Sequence, residues 1–298
     1  ESRNFANKIW NASRFTLMNL DVTENKLPDL NYLQLEDKWI LSKYNDVVKL
    51  VTENLDKFEL GIALSNLYDF IWENFCDWYI ELVKPRLFDK ENPTGKTAQY
   101  VLTYVLSNTM KLLHPFMPFI TEEIWQHLPH EGESIMISEW PEYDEKLNFP
   151  KDVESIELIM QSISAIRNRR AEMNVPPSKK AKVIIVTDKT DVFEQGTVFF
   201  EKLASASEAV VQTDKSGISD NAVNVVVPSA EVFLPLDELV DKTKELERLN
   251  AEKKKLEGEI KRVEGKLNNA GFVSKAPQKV VDEEKAKGEK YKEMLENL

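Results

Sequence analysis

Residues 55–78 read LDKFELGIALSNLYDFIWENFCDW. Leu55, Phe58, Ile62, Leu67, Phe70, Phe75 and Trp78 fall at helical spacing, which lays a wide apolar stripe along one side of a helix. Outward from this stretch, the same patterning yields four or five long helices, over roughly 3–20, 31–57, 59–84, 95–114 and 118–128. Asp29 is placed to cap the second. Pro85 ends the third after Lys84, because proline lacks an N–H and clashes with the preceding turn. Asn92-Pro93-Thr94-Gly95 has turn chemistry. All six tryptophans, Trp10, Trp39, Trp72, Trp78, Trp125 and Trp140, lie in residues 1–150. This region reads as a helical bundle.

Residues 151–236 change character. Ile156, Ile159, Met160, Ile163 and Ile166 make one more amphipathic helix, ending near Asn174 and broken by Pro176-Pro177. Ala181–Val186 (AKVIIV) is a short buried-strand run, Val192–Leu203 reads as a helix, and Val210–Gln212, Ala222–Val227 and Glu231–Leu234 read as strands. The expectation is a small α+β domain. Residues 237–298 carry fifteen basic and fifteen acidic residues and no tryptophan. Leu246, Leu249, Leu256, Ile260, Val263, Leu267 and Ala270 follow a 3-4 repeat, with Lys253 at one inner position. Val281, Tyr291, Leu295 and Leu298 supply a thinner seam beyond a break at Gly271–Pro277. Two helices joined by a turn predict an antiparallel coiled-coil arm, roughly 50 Å long at about 1.5 Å per residue. Gly271 is expected to end the first helix, with Phe272 plugging the tip.

Among 298 residues, 39 Lys and Arg face 51 Asp and Glu, a formal charge of −12. That excludes a uniformly basic nucleic-acid coat protein but not a local basic face. Hydrophobic residues at 42% with 30% charged describe a globular chain and not a disordered one. One cysteine, Cys76, excludes an internal disulfide and any cysteine-cluster zinc site. It lies between aromatic residues and reads as core, not nucleophile. Every apolar stretch is interrupted by charge before membrane-spanning length. Nine scattered glycines form no phosphate loop. His114, before Pro115, reads as a packing or capping residue, and His127, His130 and Glu131 as a helix end and its loop. Nothing assembles a catalytic or metal site. The chain does not start with Met and shows no signal peptide, so a cytoplasmic fragment of a longer protein is expected.

Several stretches carry a family resemblance. Leu112–Gln126 (LLHPFMPFITEEIWQ) resembles the hallmark of the anticodon-binding bundle in the class I synthetases for valine, isoleucine and leucine. Asn4–Phe15 (NFANKIWNASRF) is similar to the helix that opens that bundle. Arg167–Lys182 (RNRRAEMNVPPSKKAK) and Asn269–Pro277 (NAGFVSKAP) resemble the bacterial valyl branch. A terminal coiled-coil arm belongs to that branch, whereas isoleucyl enzymes end in a cysteine-ligated zinc module that one cysteine does not build. The family's ATP-binding signatures and its editing domain are absent. The resemblance therefore implies a non-catalytic, tRNA-binding C-terminal part. ATP and Mg²⁺ are implied only for the complete enzyme. The partners implied are valine-accepting tRNA and the catalytic and editing domains of the same chain, with no membrane and a monomeric state. The organisation expected is 1–150 bundle, 151–236 junction domain and 237–298 arm. A protein-interaction module, or the isoleucyl or leucyl counterpart, is the alternative.

Three groups are candidates for RNA contact. Lys8, Asn11 and Phe15 fall within about 60° of one another on a helix, with Arg14 at the border. The resemblance assigns these four to the anticodon loop: Phe15 to stack a base, Asn11 to read an edge, the cations to take phosphates. On the other reading, Phe15 packs inward beside Trp10 and Leu17, and Lys8 and Arg14 are solvated charges. Arg167 and Arg170, with Lys179 and Lys180, either contact RNA backbone near the junction or pair with the bundle's surplus acids. On the arm, Lys254, Arg262, Lys275 and Lys279 are candidates for the tRNA's outer corner, or part of a solvated coiled-coil face.

Overall fold

The computed structural model describes residues 2–239, 242–268 and 278–296. Helix α1 (Ser2–Met18) buries Phe5, Ile9 and Ala12 at intervals of four and three. Helix α2 (Leu35–Asp56) opens on a reciprocal cap in which the Gln34 N–H donates to the Asp37 carboxylate at 3.0 Å. Asp29 therefore caps a different element. Its carboxylate accepts from the Asn31 N–H and ends on a short 3₁₀ turn, Leu30–Tyr32.

Residues 60–88 form one unbroken rod, which corrects the reading that Pro85 ends it. Helix α3 (Leu60–Asp69) passes into a π-helical segment (Phe70–Tyr79) and then helix α4 (Ile80–Phe88), with Pro85 inside. The reason lies one residue on. Arg86 is buried, and its Nη1 donates to Glu36 at 2.6 Å and Asp37 at 2.9 Å. Its Nε donates to the Thr94 hydroxyl at 2.9 Å and its Nη2 to the Thr94 carbonyl at 2.8 Å. Breaking a buried pair of this kind costs about 3–5 kcal/mol, against about 3 kcal/mol for a helical proline. Continuing the helix is the cheaper outcome. Helix α5 (Gly95–Leu113) starts where a Cβ on Gly95 would stand 2.9 Å from the Arg86 carbonyl oxygen, so only glycine admits this approach. Helix α6 (Pro118–His127) carries proline at its first turn. The His114 ring is 2.8 Å from the Thr121 hydroxyl, a packing role at a helix end.

The segment after α6 is pinned along α2. Asn45 and Asp144 exchange two hydrogen bonds, Ser42 bonds the backbone of Leu147 and Phe149, and the Trp140 indole donates to Thr52. Helix α7 (Pro150–Glu172) follows, tied to α2 by Lys38–Asp152 at 3.0 Å and Lys43–Glu157 at 2.6 Å.

Four strands make a mixed sheet of order β2-β1-β4-β3: β1 (Ala181–Val186), β2 (Ala206–Gln212), β3 (Val223–Val227) and β4 (Ala230–Leu234). β1 and β2 are parallel, and β4 is antiparallel to β1 and β3. The parallel pair needs a crossover, and the single helix expected over Val192–Leu203 is two, α8 (Thr190–Glu194) and α9 (Thr197–Leu203). The break falls at Gly196, where a Cβ would meet Ile159 of α7 at 2.7 Å. β2 starts four residues before the expected Val210. After the small buried Ala206 it continues with Ser207 and Glu208, both exposed, so its first half carries little apolar signal. Buried residues from Phe5 to Leu239 form one continuous core across bundle and sheet.

A short helix, α10 (Leu236–Leu239), precedes α11 (Lys242–Leu267) and α12 (Gln278–Glu296). Lys266 meets Glu284 and Glu264 meets Lys292, so α11 and α12 run antiparallel. Leu256, Val263 and Val281 are buried between them, apart from the main core. Lys253, read as an inner position, is exposed instead. On α12 the inner row is Val281, Glu284 and Gly288, spaced three and four; Gly288 gives Val263 its close approach. Gly271 and Phe272 lie outside the described residues. Among those described, no helix is long and apolar enough to cross a membrane.

Candidate nucleic-acid interface

Helix α1 lies beside the rod formed by α3, the π segment and α4, and two of the predicted RNA residues, Lys8 and Phe15, fall along this contact. The Lys8 ammonium is 2.5 Å from the Asp77 carboxylate and 3.9 Å from the centre of the Trp72 ring. Trp72 stacks on Tyr68 at 5.6 Å, and Tyr68 tilts against Phe5 at 4.6 Å. Further along, Phe15 meets Phe88 edge-on at 6.2 Å, and Lys84 lies 5.6 Å over the Phe15 ring. Arg167, from α7, places its guanidinium 5.7 Å over Trp78. The result is three aromatic stations, each with a cation on or beside a ring. Such pairs hold π faces and positive charge together, the combination that suits unstacked bases and their phosphates.

The π register creates the first station. Trp72 and Asp77 are five residues apart and both reach Lys8. On an α-helix a five-residue step turns about 140° away. In a π-helix, bonded i to i+5, it comes nearly full circle. The sequence carried a trace of this, since Phe70 to Phe75 is an interval of five. Trp72, Trp78, Lys84 and Phe88 were missed for that reason and because the rod was ended at Lys84.

The four α1 residues are not brought to one point. Lys8 and Phe15 are partly buried against the rod, and Asn11 is exposed. Phe15 packs partly on the core, but its neighbours are Phe88 and Lys84. Arg14 is exposed on the other side, where it lines a cleft of about 310 Å³ with Trp10, Leu17, Ile124 and His127.

The second group divides. Arg167 donates its Nε to the Leu203 carbonyl at 2.5 Å, and burial lowers its pKa. Arg170 is a correction. It is 5% exposed, and its Nη2 donates to the carbonyls of Pro176 and Lys179, holding the loop after α7. A three-residue step put it on the Arg167 face, but the chain folds back over it, so no phosphate reaches it. Lys179 is partly buried and Lys180 exposed. On α11, Lys254 and Arg262 are exposed, Arg262 pairing with Glu259 at 2.7 Å. Lys275 and the side chain of Lys279 lie outside the described residues.

Burial pushes the Cys76 thiol up to about 12, so it stays protonated. Among the described residues no group of three His, Cys, Asp or Glu is placed to hold a metal ion.

Residues 37–185 match the family described as the anticodon-binding domain of tRNA ligase, and residues 241–298 that of the valyl tRNA synthetase tRNA binding arm. The chain is 56% identical to a valine–tRNA ligase of Clostridium perfringens, over 99% of this chain and 34% of that protein. It is 54% identical to that of Clostridium acetobutylicum, with the same coverage. To that of Oceanobacillus iheyensis it is 46% identical, over 97% of this chain and 33% of the other. The chain thus spans about a third of the length of the curated relatives it matches.

Proposed function

The chain belongs to the family of tRNA-ligase anticodon-binding domains, in its valine branch, and from that we propose that it is the tRNA-binding part of a valine–tRNA ligase. The bundle, residues 1–150, seats the anticodon loop along α1 and α4. Residues 151–236 form the junction. Residues 237–298 form an antiparallel coiled-coil arm that leans on the outer corner of the tRNA through exposed cations such as Lys254 and Arg262. The protein acts in the cytoplasm as a monomer. The observation that carries this reading is the row of cation–aromatic stations among α1, the π segment, α4 and α7.

The contribution to catalysis is positional. Holding the anticodon fixes where the distant acceptor end lies, which converts a bimolecular encounter into an oriented one. ATP and Mg²⁺ serve valine activation in the catalytic part of the complete enzyme. No chemical step is therefore assigned to this chain.

The test is binding of the chain to a valine tRNA transcript and to the same transcript with a swapped anticodon, at one stated salt concentration. A preference for the native anticodon is expected. Equal binding to both removes the anticodon role from the bundle, and binding to neither removes the RNA reading.

A further inference from the structure

Phe88 ends α4 and remains 63% exposed although one edge meets Phe15. Its open side looks into a cleft of about 660 Å³ between the end of α4 and α9, lined by Lys84, Pro85, Asn92, Val198, Lys202 and Leu203. The volume is that of a small-molecule site. The walls are preset. α9 is anchored to α7 by Arg167 on the Leu203 carbonyl and by Gly196 against Ile159, and Asn92 is locked by accepting from the Thr94 N–H and hydroxyl. Val198, 40% exposed, gives the far wall an apolar surface. Lysines stand on both walls.

We infer that this cleft receives one unstacked base of the bound RNA, stacked on Phe88, with Lys84 and Lys202 on the flanking phosphates. The inference rests on the RNA-binding reading above and adds a site to it. Continuity with that surface selects the ligand, because Lys84 lines the cleft and also lies over Phe15. The composition selects a base over a free phosphate. Glu81, which pairs with Lys84 at 2.5 Å, and Asp89 at the same rim offset the two lysines, while Phe88, Pro85, Val198 and Leu203 offer a π face and apolar walls.

The experiment uses the whole 298-residue chain and a full-length valine tRNA in which 2-aminopurine replaces one anticodon-loop base at a time. One position is expected to change emission on binding. Phe88→Ala should abolish that change and weaken binding about 5- to 150-fold, the range for one stacked base. Phe88→Trp should keep both. Lys202→Ala, remote from α1, should lower the salt slope by about one. Unchanged affinity and probe response in Phe88→Ala overturns the inference and leaves the functional reading standing. Weaker binding with the probe response intact also overturns it, since Phe88 then only props Phe15. If the unaltered chain binds no tRNA, both readings fall.

Discussion

Glu36 and Asp37 share one guanidinium, so the buried trio with Arg86 carries an excess negative charge when both acids ionise. Burial first, and the Asp37 charge second, raise Glu36 from 4.5 to about 7, with Arg86 opposing. The sign follows. A carboxyl raised in the folded state favours folding while both states bind the proton, and that advantage is lost as pH climbs from about 4.5 through about 7. The span of about 2.5 units corresponds to roughly 3 kcal/mol at most. Glu36→Gln keeps the acceptor to Arg86 but never ionises. At pH 5 the variant should exceed the wild type by less than about 1 kcal/mol, because folded Glu36 is still neutral and only the unfolded chain has begun to ionise there. By pH 8 the variant should have gained up to roughly 3 kcal/mol relative to it. Urea denaturation at pH 5, 6, 7 and 8, read by tryptophan fluorescence, measures this, and all six tryptophans lie in the bundle. Titrations elsewhere cancel in the difference between the two proteins. A difference that stays flat with pH refutes the protonated Glu36.

Arg170→Ala should destabilise the chain by about 1–3 kcal/mol through the unbonded carbonyls of Pro176 and Lys179. Its salt slope for tRNA should match the wild type, and a slope lowered by one would restore a phosphate contact. Gly196→Ala should cost about 1–3 kcal/mol in thermal or urea unfolding, because the new methyl collides with Ile159. Deleting residues 241–298 should weaken tRNA binding while leaving the preference for the native anticodon unchanged; unaltered affinity would give the arm another task.

The bundle was legible because its helices bury stripes at three and four, a signal that depends only on neighbours in sequence, although Phe58 and Ile62, read as part of one stripe, are exposed around the turn between α2 and α3. Elements decided by distant partners were not. Pro85 reads as a stop until Arg86 is seen to answer Glu36 and Asp37, some fifty positions away. Stopping there hid Phe88. The π register was visible only as one interval of five, Phe70 to Phe75, which pattern reading absorbs as noise. Gly196 splits a helix because Ile159 stands against it, a fact absent from the local sequence. Among site residues, Lys8 and Phe15 were found by shared face and family resemblance. Arg170 shared a face as well, but periodicity does not reveal that a later loop closes over it.

The pins along α2 also set a timetable for synthesis. Ser42 waits for Phe149, 107 residues downstream, and Asn45 for Asp144, 99 downstream. At about 5–20 residues per second, α2 leaves the ribosome roughly 5–20 s before the strand of chain that covers it. During that interval its apolar flank, including Trp39, Ile40 and Val47, depends on the helices already made or on a chaperone.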